Sequence, residues 1–271
     1  GETIGTAKEV TDETIIEPVD NLLASDETFE AKMVKAALRG PSQKQRNNIR
    51  EKTKHLPAEA RVAMQKLLEE FHDIISDNPL DLGRTDKAKH TITLVDTIPT
   101  YTKQYDLSDA ERSKILTDVK DWLKLGLVEP STSKYNAPIF CVRKKEGHGL
   151  RVVLDYRKLN AKTVPDRYSI RGVDECIREV GYKGSKIFTT LDMTSGFWQV
   201  PLEKTAREST AFTVPGQGQL HWTVAPMGLT GCPATFARLM DTTMKDLDNV
   251  ITYIDDVLVH SPSLQEHVAH I

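Results

Sequence analysis

Apolar and polar positions along this chain change period several times, and each change predicts an element. Apolar residues recur at helical spacing over Phe29–Leu38 and again over Ala58–Phe71, where Val62, Leu67, Leu68 and Phe71 form a stripe, with Pro41 and Pro57 as breaks. Both read as small packing helices. Residues 79–107 hold Pro79, Gly83 and Pro99 around His90-Thr91-Ile92-Thr93-Leu94, whose alternation predicts a short edge strand in a connector. Ser108 opens a well-marked helix. With Glu111 it makes a capping box, Ile115, Val119, Trp122 and Leu123 line a core-facing stripe, and Gly126 ends it.

From Ala137 the pattern becomes one of short strands. Pro138–Val142 and Leu150–Asp155 are apolar runs joined by Arg143-Lys144-Lys145-Glu146-Gly147-His148-Gly149, which predicts a hairpin with a positive tip and brings Lys144 near Arg151. Residues 173–180 predict a helix, and Lys186–Leu191 a strand that delivers Asp192. Beyond it, Met193–Leu202 leaves the strand at Gly196 with Phe197 and Trp198 side by side. Thr210–Val214 and Leu220–Val224 pair across Pro215-Gly216-Gln217-Gly218. Pro226–Pro233 is a Gly-rich loop entering a helix with Phe236, Leu239, Met240 and Leu247 on its buried side.

The last strong pattern is Val250–Val259, in which β-branched and aliphatic residues flank Asp255-Asp256. A tight hairpin with both carboxylates at its tip follows. Burying such charges unpaired would cost several kcal/mol, so either water or a divalent cation must compensate them. These ten residues alone fit a solvated turn as well as a metal site.

Charge sharpens part of this picture. The net charge of −3 hides a split: residues 1–33 carry nine acidic side chains against Lys8 and Lys32, whereas residues 134–162 carry eight Lys or Arg against Glu146 and Asp155. A basic segment of this kind neutralises phosphates. Cys141, Cys176 and Cys232 are widely spaced and include no Cys-x-x-Cys pair, which points to a reducing compartment. No apolar run approaches the roughly 20 residues needed to cross a bilayer, and no signal peptide is visible. A soluble, intracellular protein without a membrane partner is expected. The first residue is Gly and the chain stops at Ile271 soon after the hairpin, which suggests a piece of a longer polypeptide.

Asp192 lies 63 residues before Asp255, and a basic hairpin and a Gly-rich loop accompany them. Three carboxylates held close repel one another and need cations. Two Mg²⁺ ions about 3.5–4 Å apart would neutralise them and clamp the attacking and leaving oxygens of a phosphoryl transfer. Several segments, in this order, then resemble the reverse transcriptases of gypsy-type LTR retrotransposons and, more distantly, of retroviruses. They are Asn136-Ala137-Pro138-Ile139-Phe140-Cys141-Val142-Arg143-Lys144-Lys145, Arg151–Asn160, Leu191–Leu202, Pro226–Phe236 and Tyr253-Ile254-Asp255-Asp256. The resemblance extends upstream through Asp81-Leu82-Gly83-Arg84-Thr85 and Gly126–Ser131.

The resemblance implies an α+β fold, the fingers and palm of a right-hand polymerase over 76–271, with an antiparallel sheet packed on helices. An acidic linker and small helices over 1–75 precede it. It implies RNA-directed DNA polymerase activity, with transfer from a dNTP to a primer 3′-hydroxyl on an RNA template. Asp192, Asp255 and Asp256 become the catalytic, metal-binding carboxylates, for two Mg²⁺ with Mn²⁺ as the alternative ion. Lys144 and Arg151 hold the triphosphate, Met193 contacts the nucleotide through its backbone, and Phe197 excludes a 2′-hydroxyl. Met227 packs against nucleotide and template, where retroviral enzymes have Gln. Asp155 and Arg157 build the fingers rather than do chemistry. Tyr168-Ser169-Ile170-Arg171 departs from the Pro-rich stretch usual in the family. The remaining palm, thumb, connection and ribonuclease H would lie beyond Ile271. The protease and integrase of the Pol polyprotein are expected partners, and a cytoplasmic virus-like particle or the nucleus the expected location. The competing expectation is a catalytically incomplete, domesticated remnant that still binds nucleic acid.

Overall fold

The computed structural model describes residues 40–76, 78, 80–144 and 149–271. The acidic segment 1–27, the predicted helix Phe29–Leu38 and the loop tip 145–148 lie outside the described residues. Helices α1 (Gln43–Thr53) and α2 (Ala58–Glu70) form an N-terminal pair. α1 starts on a capping box between Ser42 and Gln45, and the Gln45 amide also donates to the His72 and Ile75 carbonyls after α2. Hydrophobic periodicity did not predict α1 because it buries only Ile49 and Thr53. On α2 the buried residue is Met64, while Val62 and Phe71 of the expected stripe are exposed.

Helix α3 (Asp109–Lys124) begins on the Ser108–Glu111 capping box and buries Ile115, Val119, Trp122 and Leu123. After it come β1 (Val128–Pro130), β2 (Ile139–Arg143), β3 (Leu150–Leu154), α4 (Arg157–Lys162), α5 (Val173–Tyr182) and β4 (Ile187–Asp192). A 3₁₀ turn over Gly196–Gln199 leads to α6 (Lys204–Arg207), β5 (Phe212–Val214), β6 (Gly218–Trp222) and α7 (Cys232–Met244). β7 (Val250–Tyr253), β8 (Asp256–Ser261) and α8 (Leu264–His270) complete the described elements. The connector stretch His90–Leu94 makes isolated bridges, His90 with Leu202 and Leu94 with Thr163, instead of a strand. Leu247, expected on the buried side of α7, lies beyond the helix end and is exposed.

The strands form three antiparallel sheets, ordered β1-β6-β5, β2-β3 and β4-β8-β7. An aromatic cluster joins the first of these sheets to α3: the Trp122 ring lies 4.8 Å from Trp222 and 5.9 Å from Trp198, and Phe212 lies 6.0 Å from Trp222. Edge and tilted contacts of this kind add to the burial of the rings themselves. Trp198 therefore anchors the 3₁₀ turn in the core, directly beside Phe197. α7 packs on β7, α8 on β8 and β4, and α2 on α8.

A chain of imidazoles fastens α8 to the sheet. The Asn249 amide meets His270 Nε2 at 3.1 Å, His270 Nδ1 and His267 Nδ1 each meet Ser261 Oγ at 2.8 Å, and His267 Nε2 meets Thr189 Oγ1 at 2.8 Å. With Asn249 donating, neutral rings satisfy every link in one direction: His270 Nδ1–H to Ser261, the Ser261 hydroxyl to His267 Nδ1, and His267 Nε2–H to Thr189. Beside them His260, fully buried, meets Ser185 Oγ at 2.8 Å through Nδ1. Burial lowers the pKa of both His260 and His267, as a network built from neutral rings requires.

Candidate active site

The register of β4 against β8 sets Asp192 opposite Asp256, and that of β7 sets Tyr253 opposite Asp256. Directly opposed residues on antiparallel strands have Cα atoms about 4.5–5.5 Å apart. Strand alternation puts Thr189 on the face with Val257 and Val259 that packs on α7 and α8. Phe188, Thr190 and Asp192 lie with Asp256 on the opposite, more open face. The β7–β8 connection has two residues, Ile254 and Asp255, so that Asp255 occupies the turn and Asp256 already belongs to the strand. Ile254 has φ +57°, a left-handed conformation that costs a β-branched residue about 1–2 kcal/mol. Strain of this kind concentrates at functional sites.

No hydrogen bond or ion pair engages the three carboxylates among the described residues, which leaves their oxygens available to a ligand. The three form a hard, all-oxygen donor set of the type that takes Mg²⁺. Strand pairing brings the backbones together, but the side chains do not converge on one point: no group of three or more His, Cys, Asp or Glu among the described residues stands in metal-holding geometry.

Downstream of Asp192 the chain turns through Ser195 at φ +47° into the 3₁₀ turn. A Cβ at Gly196 would lie 2.8 Å from Phe236 Cζ and 3.3 Å from Met193 Cβ, so only glycine permits this close approach. Phe197 packs edge-on against Phe236, 5.4 Å between ring centroids. The two adjacent aromatics thus divide, Trp198 packing against Trp122 and Trp222 in the core and Phe197 against Phe236 of α7. Met193 is half-buried, and its carbonyl accepts from the Gly196 amide.

Met227 is exposed in the Gly-rich loop. Asn160 of α4 holds that loop at two points, donating to the Gly228 carbonyl at 2.7 Å and accepting from the Thr230 amide at 3.0 Å. Sequence reasoning gave Asn160 no role, because its partners lie 68 and 70 residues away. On the β2–β3 hairpin, Val142 opposes Arg151, and Lys144 N donates to Gly149 O, which places the exposed Lys144 and Arg151 on one face. The other face carries Cys141, whose thiol sits 3.9 Å from the Glu111 carbonyl of α3. The two cations are therefore turned away from the core. At the hairpin root, Asp155 receives Arg157 at 2.9 and 2.7 Å and the Tyr105 hydroxyl at 2.6 Å. The Arg157 guanidinium beside it, with help from Tyr105, holds the Asp155 carboxyl far below its ordinary range. These are framework contacts.

Residues 142–271 match the family model described as reverse transcriptase (RNA-dependent DNA polymerase). The chain is 34% identical over 220 residues to the retrovirus-related Pol polyprotein from transposon 297 of Drosophila melanogaster, an alignment covering 79% of this chain and 20% of that protein. It is 36% identical over 188 residues to the Pol polyprotein from transposon gypsy of the same fly, covering 67% and 18%. With the enzymatic polyprotein of Cauliflower mosaic virus it shares 36% over 214 residues, covering 77% and 31%. The chain thus spans about a fifth to a third of the length of these relatives. Among solved structures, a prototype foamy virus protease–reverse transcriptase mutant superposes with a TM-score of 0.74 at 28% identity, covering 84% of this chain and 30% of that one. The foamy viral protease–reverse transcriptase dRH in complex with double-stranded DNA gives 0.71 at 26%, covering 84% and 40%. The helices and antiparallel sheets described above are accordingly a reverse transcriptase fingers and palm. Through residues 142–271, this chain belongs to the reverse transcriptase family, in the form carried by gypsy-type retroelements.

Proposed function

We propose that this chain is the fingers and palm portion of an RNA-directed DNA polymerase that extends a DNA primer on an RNA template. The observation that carries the reading is the pairing of Asp192 with Asp256, with Asp255 in the strained turn beside them, on the open face of the sheet. Asp192, Asp255 and Asp256 would hold two Mg²⁺, which when bound supply Lewis-acid activation of the primer 3′-hydroxyl and neutralise charge on the leaving pyrophosphate. Lys144 and Arg151, on the outward face of the β2–β3 hairpin, bind the triphosphate of the dNTP. Phe197, fixed by Phe236 and by the core anchor Trp198, bounds the sugar position and rejects a 2′-hydroxyl sterically. Met227, in the loop pinned by Asn160, packs against the nucleotide and its template base. The primer hydroxyl then attacks the α-phosphate in line, forming the new P–O bond as the bond to pyrophosphate breaks. That RNA/DNA hybrid and duplex DNA are bound by foamy virus relatives supports this choice of partner.

The test is primer extension by the complete parent polyprotein on RNA in Mg²⁺. Asp255→Asn should reduce extension to background while hybrid binding persists. Extension at the wild-type rate would refute the assignment.

A further inference from the structure

The turn that carries Phe197 lies within residues 142–271, yet a segment outside them braces it. Residues 83–90 of the connector run beside 199–203: the Thr85 amide donates to the Gln199 carbonyl at 2.9 Å, the His90 amide to the Pro201 carbonyl at 2.8 Å, and the Glu203 amide to the His90 carbonyl at 2.9 Å. Arg84 anchors this segment by donating to the Gly126 carbonyl, just past the end of α3, at 3.1 Å. On their other side the same residues hold the stem of the loop that carries Met227, since the Ala225 amide donates to the Val200 carbonyl and the Leu202 amide to the Thr223 carbonyl.

One side chain links this brace to the site. Gln199 is half-buried, and its Nε2 donates to the Thr194 carbonyl at 3.0 Å, a tie onto the chain between Asp192 and Phe197. The tie spans Ser195, whose φ of +47° is a left-handed conformation uncommon outside glycine and needs support from its surroundings. The other edge of the same amide meets the connector: a Cβ on Gly83 would lie 2.9 Å from Gln199 Oε1 and 3.6 Å from its Cδ. Glycine at 83 therefore leaves the amide its place. A larger residue would push the flexible amide tip aside, at little cost in packing but at the cost of its hydrogen bond to Thr194. We infer that Gln199 is a positioning residue for nucleotide selection: seated against Gly83, it fixes the Thr194 carbonyl and through it the position of Phe197, without touching substrate. The inference rests on the polymerase reading, with Phe197 as the group that rejects a 2′-hydroxyl. It gives the connector, which lies outside the matched segment, a part in choosing the sugar. Small displacements matter here, since a misplacement of about 1 Å at a reacting centre costs on the order of 100-fold.

The experiment is single-nucleotide incorporation by the parent polyprotein, with a dNTP and the matching rNTP, on variants that urea unfolding shows to be folded. Gln199→Met keeps the length of the side chain and removes the donor. It should lower dNTP-over-rNTP discrimination by about three- to tenfold, the fold-change of one lost hydrogen bond. Gly83→Ala should lower it by a similar factor, through displacement of the amide. In the double variant the second change has no hydrogen bond left to break, so discrimination should match that of Gln199→Met alone. Equal slowing with both sugars would make Gln199 a merely structural residue and overturn the inference, as would multiplicative losses in the double variant. Phe197→Ala separates this inference from the reading beneath it. If Phe197→Ala collapses discrimination while Gln199→Met leaves it intact, the inference fails and the polymerase reading stands. If Phe197→Ala leaves discrimination intact, or the wild type extends no primer, that reading fails and the inference with it.

Discussion

Acid should loosen this fold through one histidine in the connector. His90 is 3% exposed, and its Nδ1 lies 2.8 Å from Thr235 Oγ1 in the first turns of α7. Its backbone joins Pro201 and Glu203, and Gly231 leaves room for its ring, since a Cβ there would lie 3.0 Å from His90 Cε1. Burial lowers its pKa from 6.5 to about 4, opposed in part by the charge of Asp166. As pH falls, the unfolded chain takes up this proton near 6.5 while the folded chain resists until about 4. The stabilisation is thus complete above the unfolded value and lost through that window. A shift of this size corresponds to about 3 kcal/mol, most of it spent between about pH 7 and pH 4.5. Urea unfolding of the wild type and of His90→Gln, at intervals from about pH 7.5 to 4.5, isolates the contribution. Glutamine can keep the Thr235 contact but cannot titrate, and His260 and His267 are common to both proteins. The difference in stability between the two should shrink by about 2–3 kcal/mol as pH falls. Parallel stability curves would refute the assignment of the acid response to His90.

Other perturbations follow from single contacts. Gly196→Ala places a methyl group against the buried Phe236 ring and should destabilise by about 1–3 kcal/mol in urea unfolding, displacing Phe197 with it. In single-nucleotide incorporation by the parent polyprotein the same variant should discriminate less well between dNTP and rNTP; unchanged discrimination would detach Phe197 from that role. Asn160→Ala strips partners from Gly228 O and Thr230 N, and should raise the KM for dNTP more than it lowers kcat, with about 1 kcal/mol lost in stability. Ser261→Ala removes the hydroxyl shared by His267 and His270 and should cost about 1–3 kcal/mol, with faster amide exchange in α8 than in α3. Equal exchange in both helices would show that the imidazole chain does not hold α8.

Where local chemistry decides the structure, the sequence was legible. The Ser108–Glu111 box needs only residues three apart, and Trp122 with its neighbours needs only a 3.6-residue period, so helix α3 and its buried face followed directly. The β7–β8 hairpin followed from β-branched runs on both sides of a polar pair, although Ile254 in the left-handed region is a feature no propensity would favour. α1 went unseen for the opposite reason: a polar helix that buries two residues has almost no hydrophobic period, and its stability comes from Gln45 bridging to residues 27 and 30 positions away. The same limit applies at the site. Motif order singled out Asp192, Asp255 and Asp256, but the placement of Asp192 and Asp256 on one open face depends on β4 pairing with β8 across 64 residues, and on which face α7 and α8 cover. Asn160 and His90 escape a linear reading altogether, since each acts on a segment far along the chain. Their roles arise from packing between segments that no local pattern links, Asn160 on the loop that carries Met227 and His90 on the first turns of α7.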